Sequence, residues 1–197
     1  MKRPWTLAAV AVLSAAALLA AREARSAPAP ASWAGDTVHS FVLFKVKHLG
    51  VSSAFGRFND FTVSVESAEG GPLVSAVEFT VKAESVDTGN PKRDQHVKSP
   101  DFLNARQFTD IAFKSTKAKA VDADTAEVTG DLTLHGVTRP VTVKVVKVGA
   151  GKGMKGEELL GLESTFTVKR SDFGMTNMVG PVGDEITVTV AVEGTRK

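Results

Sequence analysis

The sequence predicts an all-β domain of eight antiparallel strands, and three observations carry that expectation. From Asp36 onward the dominant hydropathy period is two, with one apolar and one polar face on each segment. Glycine and proline clusters separate the alternating segments, where turns belong. Helix-start signals occur in one stretch only, between the third and fourth segments. One-sided alternation marks antiparallel sheet, because parallel strands covered on both faces read as continuous apolar runs.

The elements follow in chain order. Met1-Lys2-Arg3 is a short positive start, and Leu7 to Ala21 runs for fifteen residues without a charge. That is short of the ~20 residues a membrane span needs. The run ends in Arg22-Glu23 and passes into SAPAPAS, with an A-x-A pattern at Ala29-Pro30-Ala31. Residues 1–31 are therefore expected to be a cleaved secretory signal, and 32–197 the working domain. An uncleaved N-terminal anchor is the alternative.

In strand one Val42, Phe44 and Val46 are apolar, while Lys45 and Lys47 face away. Strand two carries Phe61, Val63 and Val65; strand three carries Val77, Phe79, Val81 and Ala83. Ile111 and Phe113 mark strand four. Strand five has Val128, Leu132 and Leu134, with Gly130 on the same face. Val141, Val143 and Val145 form strand six; Leu162, Phe166 and Val168 form strand seven. Ile186, Val188, Val190 and Val192 close the series.

The connectors agree. Gly70-Gly71-Pro72 separates strands two and three, His135-Gly136 predicts a tight hairpin, and GAGKGMKG (149–156) reads as a flexible loop. Asn90-Pro91 opens KRDQHVK as an N-cap and first helical residue, and Ser99-Pro100 repeats the signal before DFLNARQF.

Eight amphipathic strands must hide eight apolar faces, either by closing into a barrel or by pairing as a two-sheet sandwich. Strands of ~10 residues at ~3.3 Å each, tilted by ~40°, would make a barrel roughly 25 Å tall. Eight strands leave an interior filled by side chains or holding one small ligand. A hollow Phe/Val interior would suit a hydrocarbon chain lying lengthwise.

Composition excludes several functions. Hydrophobic content of 43% with 23% charged residues rules out wholesale disorder. The absence of cysteine rules out disulfides, thiolate metal sites, a Cys nucleophile and a lipid-modified terminus. The formal charge of +2 is misleading, because residues 1–31 hold four basic residues and one acid. The remainder carries 20 basic against 21 acidic residues, a net of −1. A near-neutral domain with no basic stripe gives little counterion release, so nucleic acid is not an expected partner.

Chemical motifs are sparse. The four histidines show neither the i,i+2 spacing of strand ligands nor the i,i+4 spacing of helix ligands, so no metal is expected. His39 and His48 are expected on opposite faces of one strand. Arg93, Asp94 and His96 form the densest polar group, with Arg93 and His96 at i,i+3 and Asp94 within reach of Lys98. They read either as a gate or head-group clamp over a barrel mouth or, preferably, as a network pinning the helix to the sheet. Arg170 continues the inward parity of Phe166 and Val168 and needs an acidic or carbonyl partner, for which Asp172 or a ligand oxygen are the candidates. No G-x-S-x-G, G-x-G-x-x-G or Walker pattern occurs.

Four blocks resemble one known family. DTVHSFVLFKVKHLGVSSAFGRFNDF (36–61), SVDTGNPKRDQHVKSPDFLNARQFTDIAFKST (85–116), VTGDLTLHGVTRPVTV (128–143), and KRSDFGM with VGDEITVTV (169–175, 182–190) stand in order across nearly the whole domain. They are similar to the YceI-like, polyisoprenoid-binding family of lipocalin-like periplasmic proteins. Phe102-Leu103 departs mildly from the adjacent aromatics common in that family. The resemblance implies an eight-stranded antiparallel lipocalin-like barrel with a short helical excursion between strands 3 and 4, located in the periplasm. It also implies a pore holding a polyisoprenoid, an isoprenoid quinone or another long-chain amphiphile, with no cofactor. The positions expected to touch that chain are Val42, Phe44, Val46, Phe58, Phe79, Val81, Phe102, Phe113, Leu132, Leu134, Phe166, Phe173 and Met175. Met178 is expected to adapt to varied tails.

The leading expectation is thus an exported lipid carrier or storage protein in transient contact with membranes. The alternatives are an enzyme using His96, Asp94 and Arg170 at the mouth, or a packed interaction domain without ligand. The last would form a homodimer through an exposed edge or the 149–156 loop.

Overall fold

The computed structural model describes residues 30–67 and 73–197. The expected signal segment, apart from its last two residues, and the Gly70-Gly71-Pro72 connector lie outside the described residues. Eleven strand segments are present: β1 (Ala31–Gly35), β2 (Phe41–His48), β3 (Ser52–Phe58), β4 (Phe61–Ser67), β5 (Ala76–Lys82), β6 (Val86–Asp87), β7 (Asp110–Ala120), β8 (Thr125–Leu134), β9 (Val137–Lys152), β10 (Glu158–Lys169) and β11 (Val182–Arg196). Between β6 and β7 lies the helix α1 (Pro91–Lys98).

These segments resolve into eight strands. Val42 pairs with Phe58 and Ala34 with Ser64, so β1–β2 and β3–β4 form one long hairpin with a two-residue slip at the break. Phe58 pairs with Val86 and Phe61 with Val81, so β5–β6 is likewise one interrupted strand. Each strand then bonds to its neighbour in chain order, all antiparallel. β11 closes the ring on β2 and β1. The result is a closed eight-stranded up-and-down barrel, and closure pairs most of the strand edges that an open sheet would leave.

Alternation explains the inside. Ala126, Val128, Leu132 and Leu134 are buried, while Glu127 and Asp131 between them are exposed. Outside, hydroxyl pairs such as Thr129–Thr142 at 2.8 Å and Thr165–Thr189 at 2.9 Å lace neighbouring strands.

The structure corrects the sequence expectations at four places. β3 was not expected as a strand, because Gly56 stands where an inward apolar residue would mark the alternation. A Cβ there would lie 2.3 Å from the Phe44 ring, so the absent side chain makes room for that ring. Residues 149–152 are strand rather than loop, because they pair with Glu158–Gly161 and confine the turn to 153–157. The second helix signal, Ser99-Pro100, starts no helix. Ser99 instead ends α1, with its N–H and hydroxyl both donating to the His96 carbonyl at 3.1 and 2.7 Å. His39 is not on a strand but in the break between β1 and β2, so the expected alternation with His48 does not apply.

The hairpin expected at His135-Gly136 is present. Both residues have positive φ, 52° and 74°, as a two-residue turn of type I′ requires.

Candidate ligand-binding cavity

One end of the barrel is sealed by side chains. Val74, Ala126 and Val128 are fully buried there with Leu160, Leu162, Val63 and Val65. The other end carries α1, the His135 hairpin, the β2–β3 hairpin and the 170–181 segment. Between them runs a cavity of about 400 Å³, walled by the inward faces of most of the strands and almost entirely by carbon.

Of the fourteen apolar positions expected on the wall, all but Phe173 border this cavity. Phe173 is only 2% exposed and belongs to the buried cluster of Val86, Leu103 and Val168, of which Leu103 and Val168 do border the cavity. Its place follows from the short 3-10 turn Arg170–Phe173, which ends the alternation of Phe166, Val168 and Arg170, a series with which 173 is already out of step. Wall positions left out of the expected set include Ile111, Ile186, Val188 and Val190. Their strand alternation already pointed inward, so parity alone could have found them.

The cavity reaches the surface beside α1. β6 pairs only with Arg57 and Phe58, so Ser52–Gly56 of β3 has no partner strand on that side among the described residues. A notch between this edge and the helix is lined by His48, Phe55, Thr88 and Arg93, all of which also border the main cavity.

The polar residues at this end are mostly committed to the fold. Asn90 caps α1, its side chain accepting from the Lys92 and Arg93 N–H groups at 3.1 Å each. Asp94 accepts from the Thr88 N–H at 2.7 Å and the Thr88 hydroxyl at 2.5 Å, so it ties the helix to the preceding chain rather than reaching Lys98. Lys98 lies 3.7 Å from Glu84 instead. Arg93 donates to the Thr88 hydroxyl and carbonyl at 2.8 and 2.7 Å. His96 Nε2 sits 3.0 Å from Asp101, and its ring meets Phe102 edge-on at 5.0 Å. Arg93 and His96 still border the cavity; Asp94 does not.

Arg170 is 2% exposed and donates to four backbone carbonyls: Gly183 at 3.0 Å, Met175 at 2.8 Å, Asn177 at 2.7 Å and Val182 at 3.0 Å. Its guanidinium also lies 5.7 Å over the Phe102 ring. Four of its five N–H donors are thus consumed in lashing the 175–183 segment to the barrel end.

Asp172 is not its partner. That side chain is exposed, and only its backbone carbonyl is engaged, by Arg139 at 3.2 Å. The nearby acid is Asp184, which accepts from the Ser171 N–H at 2.9 Å and hydroxyl at 2.7 Å. The Ser171 bonds, with the Arg170 charge, hold the Asp184 carboxyl below the usual range. Burial pushes the Arg170 pKa down, and Asp184 opposes that. Nothing in local sequence pointed to Asp184, because the pairing spans the 170–184 loop. His96, Asp94 and Arg170, which an enzyme reading would have act together, are each committed to a different partner.

One cluster escaped the sequence spacing. His39 Nδ1 lies 2.6 Å from Asp36 and 3.7 Å from Glu193, so three metal-capable groups meet on the surface. The Asp36 hydrogen bond raises the His39 pKa, and the same bond lowers that of Asp36. Glu193 is far from both in sequence and is brought in only by barrel closure.

The architecture defines a class: a closed β-barrel built around an apolar cavity that reaches the surface beside α1. Within that class the chain belongs to the YceI-like domain family, whose model matches residues 33–194. It is 41% identical over 192 residues to a UPF0312 protein of Pseudomonas aeruginosa, covering 98% of each chain. The YceI protein of Campylobacter jejuni has a similar crystal structure, with a TM-score of 0.71 and 29% identity, covering 77% of this chain and 90% of that one. A polyisoprenoid-binding domain from Saccharophagus degradans shares the fold at a TM-score of 0.63 and 14% identity, covering 84% and 98%.

Proposed function

We propose that this protein is an exported carrier or store for a long-chain isoprenoid or similar lipid, held lengthwise in the barrel. The observation that carries the reading is the carbon-lined cavity of about 400 Å³, which reaches the surface beside α1. Its size lies within the ~300–1,000 Å³ range of small-molecule sites. Each CH₂ moved from water into such a cavity contributes about 0.8 kcal/mol. Ten of them give about 8 kcal/mol, enough to exceed the lower estimates of the ~4–15 kcal/mol association cost. The polyisoprenoid ligand named for the Saccharophagus domain, whose fold this chain shares, supports the isoprenoid assignment. Export is supported by the charge-free stretch after Met1-Lys2-Arg3.

Loading at a bilayer surface fits the mouth. Leu49, Val51 and Phe55 of the β2–β3 hairpin region are 60%, 84% and 63% exposed, and Met178 and Val179 stand exposed in the 170–181 segment. The two groups are joined, since the Leu49 N–H donates to the Pro181 carbonyl at 2.7 Å. Leu49 also holds φ of +53°, an uncommon conformation for leucine, in order to stand at that tip. Phe55 and Met178 border the cavity itself, so the apolar rim is continuous with the wall.

Native mass spectrometry of protein purified from its host should show an adduct of several hundred daltons, identified in the lipid extract. A consistently empty protein that takes up no added isoprenoid would overturn the reading.

A further inference from the structure

Ser164 is the residue the apolar wall does not explain. It lies on β10 between Leu162 and Phe166, at an inward position by alternation, and it borders the cavity. Its hydroxyl oxygen is buried and has no hydrogen-bond partner, the only such side-chain atom among the described residues. Other hydroxyls of the barrel are satisfied. Ser40 accepts from the Glu193 N–H, Ser115 from the Val77 N–H, and Thr165 pairs with Thr189. Valine would fill the same place without an orphaned polar atom, and a buried hydroxyl without a partner is destabilising.

The sheet is also split at this point. β10 pairs with β9 only up to Glu163, opposite Val146, whereas from Ser164 onward it pairs with β11 alone. Ser164 is thus the first residue above the seam, with Val190 across from it on β11. Phe44 and Phe113 line the cavity on the helix side, and Val128 and Val145 line it toward the sealed end.

We infer that the Ser164 hydroxyl is the polar anchor of the cavity, donating to a carbonyl oxygen of the bound lipid at mid-barrel. This inference rests on the lipid-binding reading and narrows it. The ligand carries a carbonyl seated inside the barrel, within the apolar wall, rather than at the mouth. A quinone ring entering first and a long-chain ester both present such an oxygen, whereas a pure hydrocarbon does not.

Three probes separate these cases: decylubiquinone, methyl oleate and squalene, titrated against the full-length wild-type chain, Ser164→Ala and Ser164→Thr. One neutral hydrogen bond predicts a loss of about two- to tenfold in affinity for a carbonyl probe in Ser164→Ala. Affinity for squalene should stay unchanged, and Ser164→Thr should restore the carbonyl probes. The infrared carbonyl stretch of the bound probe should rise in Ser164→Ala relative to wild type. Loss confined to decylubiquinone assigns the oxygen to a quinone ring, and loss confined to methyl oleate assigns it to an ester.

Equal affinities of wild type and Ser164→Ala for all probes that bind would overturn the anchor and leave the lipid-binding reading standing. So would an equal loss for squalene, or an ordered water on the hydroxyl of the loaded protein. Failure of the wild type to take up any of the three probes would overturn both.

Discussion

The two ends of the barrel are closed by different physics. At the sealed end Val74, Ala126 and Val128 are excluded from solvent among other aliphatic side chains, and no polar contact is needed to hold them. At the helix end closure is polar: Arg170 binds four carbonyls, Asp94 and Arg93 hold Thr88, and His135 Nδ1 lies 3.1 Å from the Phe173 carbonyl. Aliphatic packing is undirected and fills space, and the described side chains at that end leave Val74, Ala126 and Val128 without solvent contact. Directed hydrogen bonds fix individual segments and leave gaps between them, and the mouth beside β3 is such a gap. The same end carries two hairpins with opposite treatment. His135 is pinned by Phe173 and stacks edge-on with Phe108 at 4.7 Å, whereas Leu49 stands in solvent.

This contrast can be broken from either side. The largest effect is expected at the sealed end. Val128→Asp places a charge where nothing can pair with it, which should cost more than about 4 kcal/mol and abolish folding, as read by urea denaturation. A folded, cooperative variant with unchanged midpoint would show that the seal is not close-packed. Next comes Phe44→Asp or Phe166→Asp on the cavity wall. Each should reduce isoprenoid uptake more than about 100-fold while the far-ultraviolet circular dichroism remains that of a barrel. Retained uptake would place the ligand elsewhere.

At the polar end, Arg170→Met should cost about 2–4 kcal/mol, because it orphans buried carbonyls rather than opening a void. Hydrogen exchange should accelerate in 175–183 and leave the sealed end protected. Uniform acceleration would mean that the two ends are not separable. Asn90→Ala removes one helix cap and should cost about 1 kcal/mol, confined to the helix end.

The smallest effects are those of pH, and they too separate regions. Asp184 has a depressed carboxyl pKa when folded, so its stabilisation is present above the ordinary carboxylate value and lost as pH falls through the folded one. Asp184→Asn should flatten the acid limb of melting temperature against pH. His39 has a raised pKa when folded, so its contribution is present below the ordinary histidine value and lost as pH rises through the folded one. Nuclear magnetic resonance titration should find His39 protonating above the ordinary value in wild type, and Asp36→Asn should remove the shift.

Much of the fold was legible because alternation is a local signal. The eight expected segments map one to one onto the eight strands, and the Asn90-Pro91 start and the His135-Gly136 turn lie where local chemistry placed them. What failed was local in appearance but tertiary in cause. β3 is weak in pattern because Gly56 yields its space to Phe44. Residues 149–152 look like a loop and become strand because β10 pairs with them. Phe173 is out of step with Phe166 and Val168 and follows a 3-10 turn, so alternation does not place it. Met178 needs no strand at all, since its loop is drawn to the mouth by Arg170 and the Leu49 hairpin.

The amino-acid sequence by itself determined the number of strands, the apolar inner face and the place of the helix. These depend on residues two to four apart, whose relations survive any arrangement of the rest. Tertiary structure decided between barrel and sandwich, which alternation leaves open, because closure is a pairing of β11 with the first strand across the whole chain. It alone left the interior hollow, since volume depends on how eight faces meet. It also showed that Arg170 is a latch, that Asp184 rather than Asp172 stands beside it, and that Ser164 faces the cavity without a partner. Those are relations between groups that only the closed ring brings together.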